Sequence, residues 1–196
     1  MKNFTIQSLC ALLVFSFTCE VYSCTQAKDS SRVTIAGGSL TEITYLLEQE
    51  HKLIAVDITS NYPLVAKELP SIGYVRALSA EGVLSLSPSL ILGEDDMGPT
   101  SVMEQLERVG IQIEIIPEEN TADGIIKKVQ CVAEILGVNE DIKNEKLNEL
   151  NLQANDLSIL SSSNKNKSTK VMFILSMESG SPTVGGRDTS ADGLIK

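Results

Sequence analysis

Short apolar runs bounded by glycine and proline alternate with segments whose apolar residues recur every three or four positions. The first run, 33–36, ends at Gly37 and Gly38 and reads as a buried strand entering a turn. A helix is expected over 40–48, capped by Ser39, with Ile43, Leu46 and Leu47 as its buried stripe. Further strands are expected at 53–56, 89–92 and 111–116, the last closed by Pro117. Between them lie a short helix over 79–86, capped by Ser79, and another over 100–109. Thr121 opens a helix with Ile125, Ile126, Val129, Val132, Ala133 and Leu136 on one side, stopped at Gly137. A longer helix follows over 139–160, with Ile142, Leu147, Leu150, Ala154 and Leu157 at helical intervals. After a polar break at 161–169, a strand is expected at 170–176 and a helix N-cap within 189–192. Strands alternating with helices at this spacing define an α/β chain with a mainly parallel sheet.

Ahead of this pattern, an apolar run over 4–22 follows Lys2 and gives way to polar residues, as in an export signal. Val21-Tyr22-Ser23-Cys24 resembles the lipobox of bacterial lipoproteins, which would make Cys24 the lipidated first residue and anchor the chain to a membrane. Cleavage after Ala27 is the rival reading. Cys10, Cys19 and Cys24 all fall in this leader, so Cys131 is expected to remain a lone, buried thiol with no disulfide and no cysteine metal site. A net charge of −10 argues against a nucleic-acid partner. Trp is absent and aromatics make up 4%, which argues against a stacking platform for bases or sugars. At 196 residues the chain can form one sizeable domain or two small lobes.

Three places hold candidate chemistry. Pro70 and Gly73 set a loop with Tyr74 at its tip and Arg76 two residues on. A fixed positive charge favours the phenolate, a hard anionic ligand suited to ferric iron; the alternative is a tyrosine packing its ring beside a solvated arginine. Gly37-Gly38 before a helix could cradle an anion, yet neither GxGxxG nor a P-loop lysine is present, so a tight turn at a cleft edge is the better reading. The acidic loop 93–99 lacks calcium-loop spacing and is expected to be solvated. There is no nucleophile elbow and no catalytic histidine partner, so an enzyme is not expected.

The segment 72–92 (IGYVRALSAEGVLSLSPSLIL) resembles the haem-binding proteins that serve bacterial haem ABC importers. Residues 32–43 (RVTIAGGSLTEI), 56–63 (VDITSNYP) and 185–195 (GGRDTSADGLI) match the same family in the same order. The strand–glycine–helix pieces are shared with vitamin B12 and siderophore binders, whereas the Gly73-Tyr74 run through Gly82 is more specific to haem. The resemblance implies a two-lobed α/β substrate-binding protein whose lobes are joined by a long helix. On this chain it implies a leader at 1–24, a complete N-terminal lobe at 32–119, helices including the connector at 120–162, and a C-terminal lobe only begun at 163–196. The chain accordingly reads as truncated.

In that family the tyrosine at the position of Tyr74 is the axial iron ligand and the nearby arginine, here Arg76, supports its ionised form or faces a haem propionate. Arg187 is a candidate propionate partner across the cleft. Glu81 resembles the acidic residue by which the first lobe docks on an ABC permease; its plain alternative is a glutamate favoured by the helix dipole. Some members add a histidine near the position of Met177. Here the single histidine, His51, lies outside any ligand motif. The resemblance thus implies an exported protein that captures haem as transported ligand and delivers it to a permease. Cobalamin or an iron–siderophore on the same scaffold, and a non-functional remnant, are the alternatives.

Overall fold

In the computed structural model, which describes residues 24–163 and 170–195, the apolar runs pair into one parallel sheet. Its strands are β1 (Val33–Ala36), β2 (Leu53–Val56), β3 (Leu90–Glu94) and β4 (Gln112–Ile116), in the order β2-β1-β3-β4. Alternate residues of one strand enter different cores, as the two-residue period of a strand requires. Leu90 and Leu92 pack on one face, with Val33, Ile35, Leu40, Val129, Val132 and Leu136. Ile91 faces the other way, with Ile72, Val75, Leu78, Val83, Met103 and Leu106. The first face is covered by α1 (Gly38–Leu46) and α4 (Ala122–Leu136), the second by α2 (Ala80–Leu84) and α3 (Thr100–Arg108). A sheet covered on both faces explains why β1 and β3 are continuous apolar runs.

The helix signals differ in how they are used. Thr121 accepts a hydrogen bond from the Gly124 amide and Gly137 ends α4 in the left-handed region, as expected. Ser79 likewise caps α2 through the Gly82 amide. Ser39 is not a cap. Gly37 takes that position without a side-chain bond, and the Ser39 hydroxyl is engaged elsewhere. On α4 the stripe is displaced: Ile125 is exposed, while Lys128 is buried with Val129 and Val132.

Beyond α4 runs α5 (Glu140–Ser163), of which Ile142, Leu147 and Leu150 pack on the first core. Leu152, Leu157, Ile159 and Leu160 are exposed, so the expected stripe is covered only along its first half. The next strand starts later than the sequence suggests. It is β5 (Ile174–Glu178), paired antiparallel with β6 (Ser181–Val184), and α6 (Ser190–Ile195) follows. A Cβ on Gly193 would collide with the Asn120 carbonyl, which sets α6 against the loop between β4 and α4. No helix among the described residues is long and apolar enough to cross a membrane.

One expectation is reversed. Cys131 is not a free thiol, because it forms a disulfide with Cys24 across a sequence separation of 107 residues. A sulfur in that bond cannot also carry a lipid thioether, so Cys24 stands here as a bridge partner in place of an acylation site. Nothing in the residues around Cys24 marks it as a bridge partner rather than the end of a leader, and residues 1–23 lie outside the described residues. Ala27 then packs in the core and its amide bonds the Ile135 carbonyl at 2.9 Å, which aligns this segment with α4. Closing so long a loop constrains the unfolded chain. Cys131→Ser should lower stability by about 2–5 kcal/mol, read by urea unfolding, and added reductant should destabilise the parent protein but not the variant.

Candidate functional site

In a parallel sheet, connections leave from the carboxyl ends of the strands, and a crevice opens where they diverge to opposite sides. With the order β2-β1-β3-β4, that point lies between β1 and β3. Here the crevice is filled from within. The Lys128 ammonium, 6% exposed, donates to Ser39 Oγ at 2.6 Å and to Glu94 Oε1 at 3.1 Å. It also reaches Glu118 Oε2 at 3.5 Å, and Ser39 donates to Glu94 Oε1 at 2.5 Å. One cation thereby ties the start of α1, the end of β3 and the loop after β4 to α4. Gly37, at φ 144°, is required at this junction, since a Cβ there would lie 2.7 Å from Glu94 Cδ.

The start of α1 is also occupied. Asp57, buried at the end of β2, accepts from the Gly37 amide at 3.1 Å and from Ser60 Oγ at 2.9 Å through one oxygen. Its other oxygen accepts from the Thr59 amide and hydroxyl at 3.1 and 2.7 Å. An internal carboxylate therefore sits where an anion would bind, in keeping with the Gly37-Gly38 pair acting as a tight turn. The loop 57–60 is held rigidly by the same bonds.

Tyr74 stands on the neighbouring loop. Ile72, Val75 and Leu78 are buried in the second core, while Tyr74 is 41% exposed and Arg76 points outward with it. Gly73 adopts φ 91° with open space around it, so the reason for glycine is the left-handed backbone and not crowding. The Ile58 amide bonds the Gly73 carbonyl at 2.9 Å. On the other side the Gly98 amide bonds the Val75 carbonyl at 3.0 Å, and the Leu78 amide bonds Gly98 at 2.9 Å. The segment 93–99 is thus stitched to the tyrosine loop, with Met97 buried beneath it, and is not simply solvated.

Arg76 is the one predicted residue with a charged partner. Asp96 Oδ2 accepts from its Nε at 2.7 Å and forms an ion pair with its Nη2 at 2.6 Å. That bond, then the Asp96 charge and the Tyr74 phenol, hold the guanidinium further above its ordinary range. The other predicted residues scatter. Glu81 is exposed in the first turn of α2. Arg187 is exposed between β6 and α6, with no hydrogen bond or ion pair among the described residues. Met177 is exposed on β5 and His51 is exposed before β2. Among the described residues no group of three or more His, Cys, Asp or Glu side chains converges to hold a metal ion. Sequence reasoning missed Asp57 and Lys128, and read Glu94 and Asp96 only as part of a solvated acidic loop. A lysine interrupting an apolar helical stripe was the available sign for Lys128.

The loops that carry these residues leave the carboxyl edge of the parallel sheet. The model of the periplasmic binding protein family matches residues 33–195, and the chain belongs to that family. Among solved structures it is similar to a periplasmic heme-binding protein from Pseudomonas aeruginosa, at 32% identity and TM-score 0.74 over 84% of this chain and 60% of that one. It is also similar to the periplasmic heme-binding protein HutB of Vibrio cholerae, at 34% identity and TM-score 0.73 over 85% of this chain and 63% of that one. A vitamin B12-binding protein of Vibrio vulnificus (strain YJ016) is 35% identical over 109 residues, 56% of this chain and 37% of the relative. The chain thus spans less than two thirds of the length of each.

The clamp makes a stability prediction. Lys128→Met leaves Glu94, 19% exposed, without its cation, and should cost about 3 kcal/mol. Removing both charges, as Lys128→Met with Glu94→Leu, should recover most of that loss in urea unfolding. Equal loss in the single and double variants would show that packing, and not the unpaired carboxylate, is responsible.

Proposed function

We propose that this chain is the ligand-capturing part of an exported substrate-binding protein that holds haem through Tyr74 and passes it to an ABC permease. The observation that carries the reading is the Tyr74 loop. A phenol is held outward on a backbone fixed from both sides, with a guanidinium two residues on. Ferric iron takes a phenolate as a hard anionic ligand, and the Arg76 charge favours that ionised form. The likeness to two periplasmic heme-binding proteins over more than four fifths of this chain supports it.

The remaining roles follow from the same reading. Residues 170–195 supply the start of a second wall, and α5 joins the two. Arg187, in a loop that leads into α6 near the β4–α4 connection, pairs with a haem propionate across the cleft. Glu81, exposed on α2, is the docking contact for the permease. The protein carries haem and performs no chemistry on it. The Cys24–Cys131 bridge fits an oxidising compartment outside the cytoplasm. A lipid anchor on Cys24 and that bridge are mutually exclusive in one molecule.

Cobalamin is the second reading, favoured by the B12-binding relative. Tyr74→Phe separates the two. In a ferric-haem titration read by visible absorption, the parent protein should give a saturable high-spin tyrosinate spectrum and the variant should not. Cobalamin binding with an unchanged affinity in Tyr74→Phe, and no haem spectrum in either protein, would select the second reading.

A further inference from the structure

The contact between Arg76 and Asp96 has a geometry that says more than charge pairing. A guanidinium carries five N–H donors along three edges. Asp96 Oδ2 accepts from Nε and lies 2.6 Å from Nη2, so it occupies the side-on edge. No other side chain among the described residues bonds Arg76, so the end-on edge formed by Nη1 and Nη2 is left open. An end-on fork matches the two oxygens of a carboxylate. Asp96 itself is fixed, because its loop is bonded to Val75 and Leu78 through Gly98 and anchored by buried Met97.

We propose that Asp96 is a positioning residue that orients Arg76 so that its open edge receives a carboxylate of the bound ligand beside Tyr74. This rests on the haem reading above and names the ligand group that the site selects. Arg76 is 62% exposed and Asp96 39%, so the pair adds little to fold stability. Its value lies in holding a long, flexible side chain in one orientation before the ligand arrives.

Two measurements test it. In the ligand-free protein, ¹⁵N-arginine NMR should show a shifted, slowly exchanging Arg76 Nε–H resonance that disappears in Asp96→Asn while the thermal midpoint stays unchanged. In binding, haemin and its dimethyl ester share the iron and the ring but differ in their carboxylates. Asp96→Asn should weaken haemin by about tenfold and the ester by less than about twofold. In an Arg76→Ala background Asp96→Asn should do nothing further. Tighter haemin binding by Asp96→Asn would show that Asp96 competes with the ligand, and an equal loss for both porphyrins would show that no carboxylate is read; either overturns the proposal. So does a parent protein lacking the Nε–H resonance. If that resonance is present but the parent protein binds neither porphyrin, the haem reading has failed, and with it the carboxylate assignment, while the Arg76–Asp96 geometry stands.

Discussion

The buried Lys128 ammonium on α4 meets the start of α1, the end of β3 and the loop after β4, and it dictates what the rest of this edge can do. An unpaired charge at 6% exposure would be costly, so its three acceptors are a condition of folding and not an ornament. Ser39 is drawn away from capping α1, Glu94 is pressed against Gly37, and Glu118 is held near the start of α4. Lys128, Ser39 and Glu94 thereby occupy the place between β1 and β3 where α/β sheets usually admit a ligand. On the proposed reading, recognition moves outward to the loops that follow β2 and β3.

That displacement explains how the Tyr74 loop is built. A loop carrying function must present side chains to solvent without surrendering its own order. Here buried Ile72, Val75 and Leu78 alternate with outward Tyr74 and Arg76, so the backbone is anchored by the very residues that separate the exposed ones. Bonds to Ile58 on one side and Gly98 on the other fix it further. The loop after β2 is in turn set by Asp57, whose carboxylate also closes the start of α1. Charges at the sheet edge thus act as scaffolding, and the phenol is left free.

Much of the fold was legible because local signals and packing agree. The runs at 33–36 and 53–56 are strands over those same residues, and Thr121 and Gly137 bound α4 as their chemistry requires. Legibility failed where a side chain serves a distant partner. Ser39 looks like a cap until Glu94 and Lys128, 55 and 89 residues away, are brought to it. The β6 strand hides behind Pro182 and a short polar run, since pairing with β5 and not its own pattern makes it a strand. Cys24 has no local mark of a bridge. Tyr74 and Arg76 were visible as neighbours in sequence, but Asp96 was not, because its relation to Arg76 depends on two loops being sewn together by backbone bonds.

The charge arrangement bears on how a ligand would be held. The cations Arg76, Lys127 and Lys128 are matched by Asp96, Glu119 and the Glu94–Glu118 pair, on a chain whose net charge is −10. Among the described residues these paired cations add little positive charge to steer a dianionic porphyrin by long-range attraction. On the reading proposed above, affinity for such a ligand would come from short-range terms: an iron–phenolate bond, apolar contact with exposed Ile58, Tyr62 and Leu64 on the adjacent loop, the open edge of Arg76, and Arg187. A site of that kind depends on salt only weakly and on geometry strongly. Geometry is what the stitched loops supply.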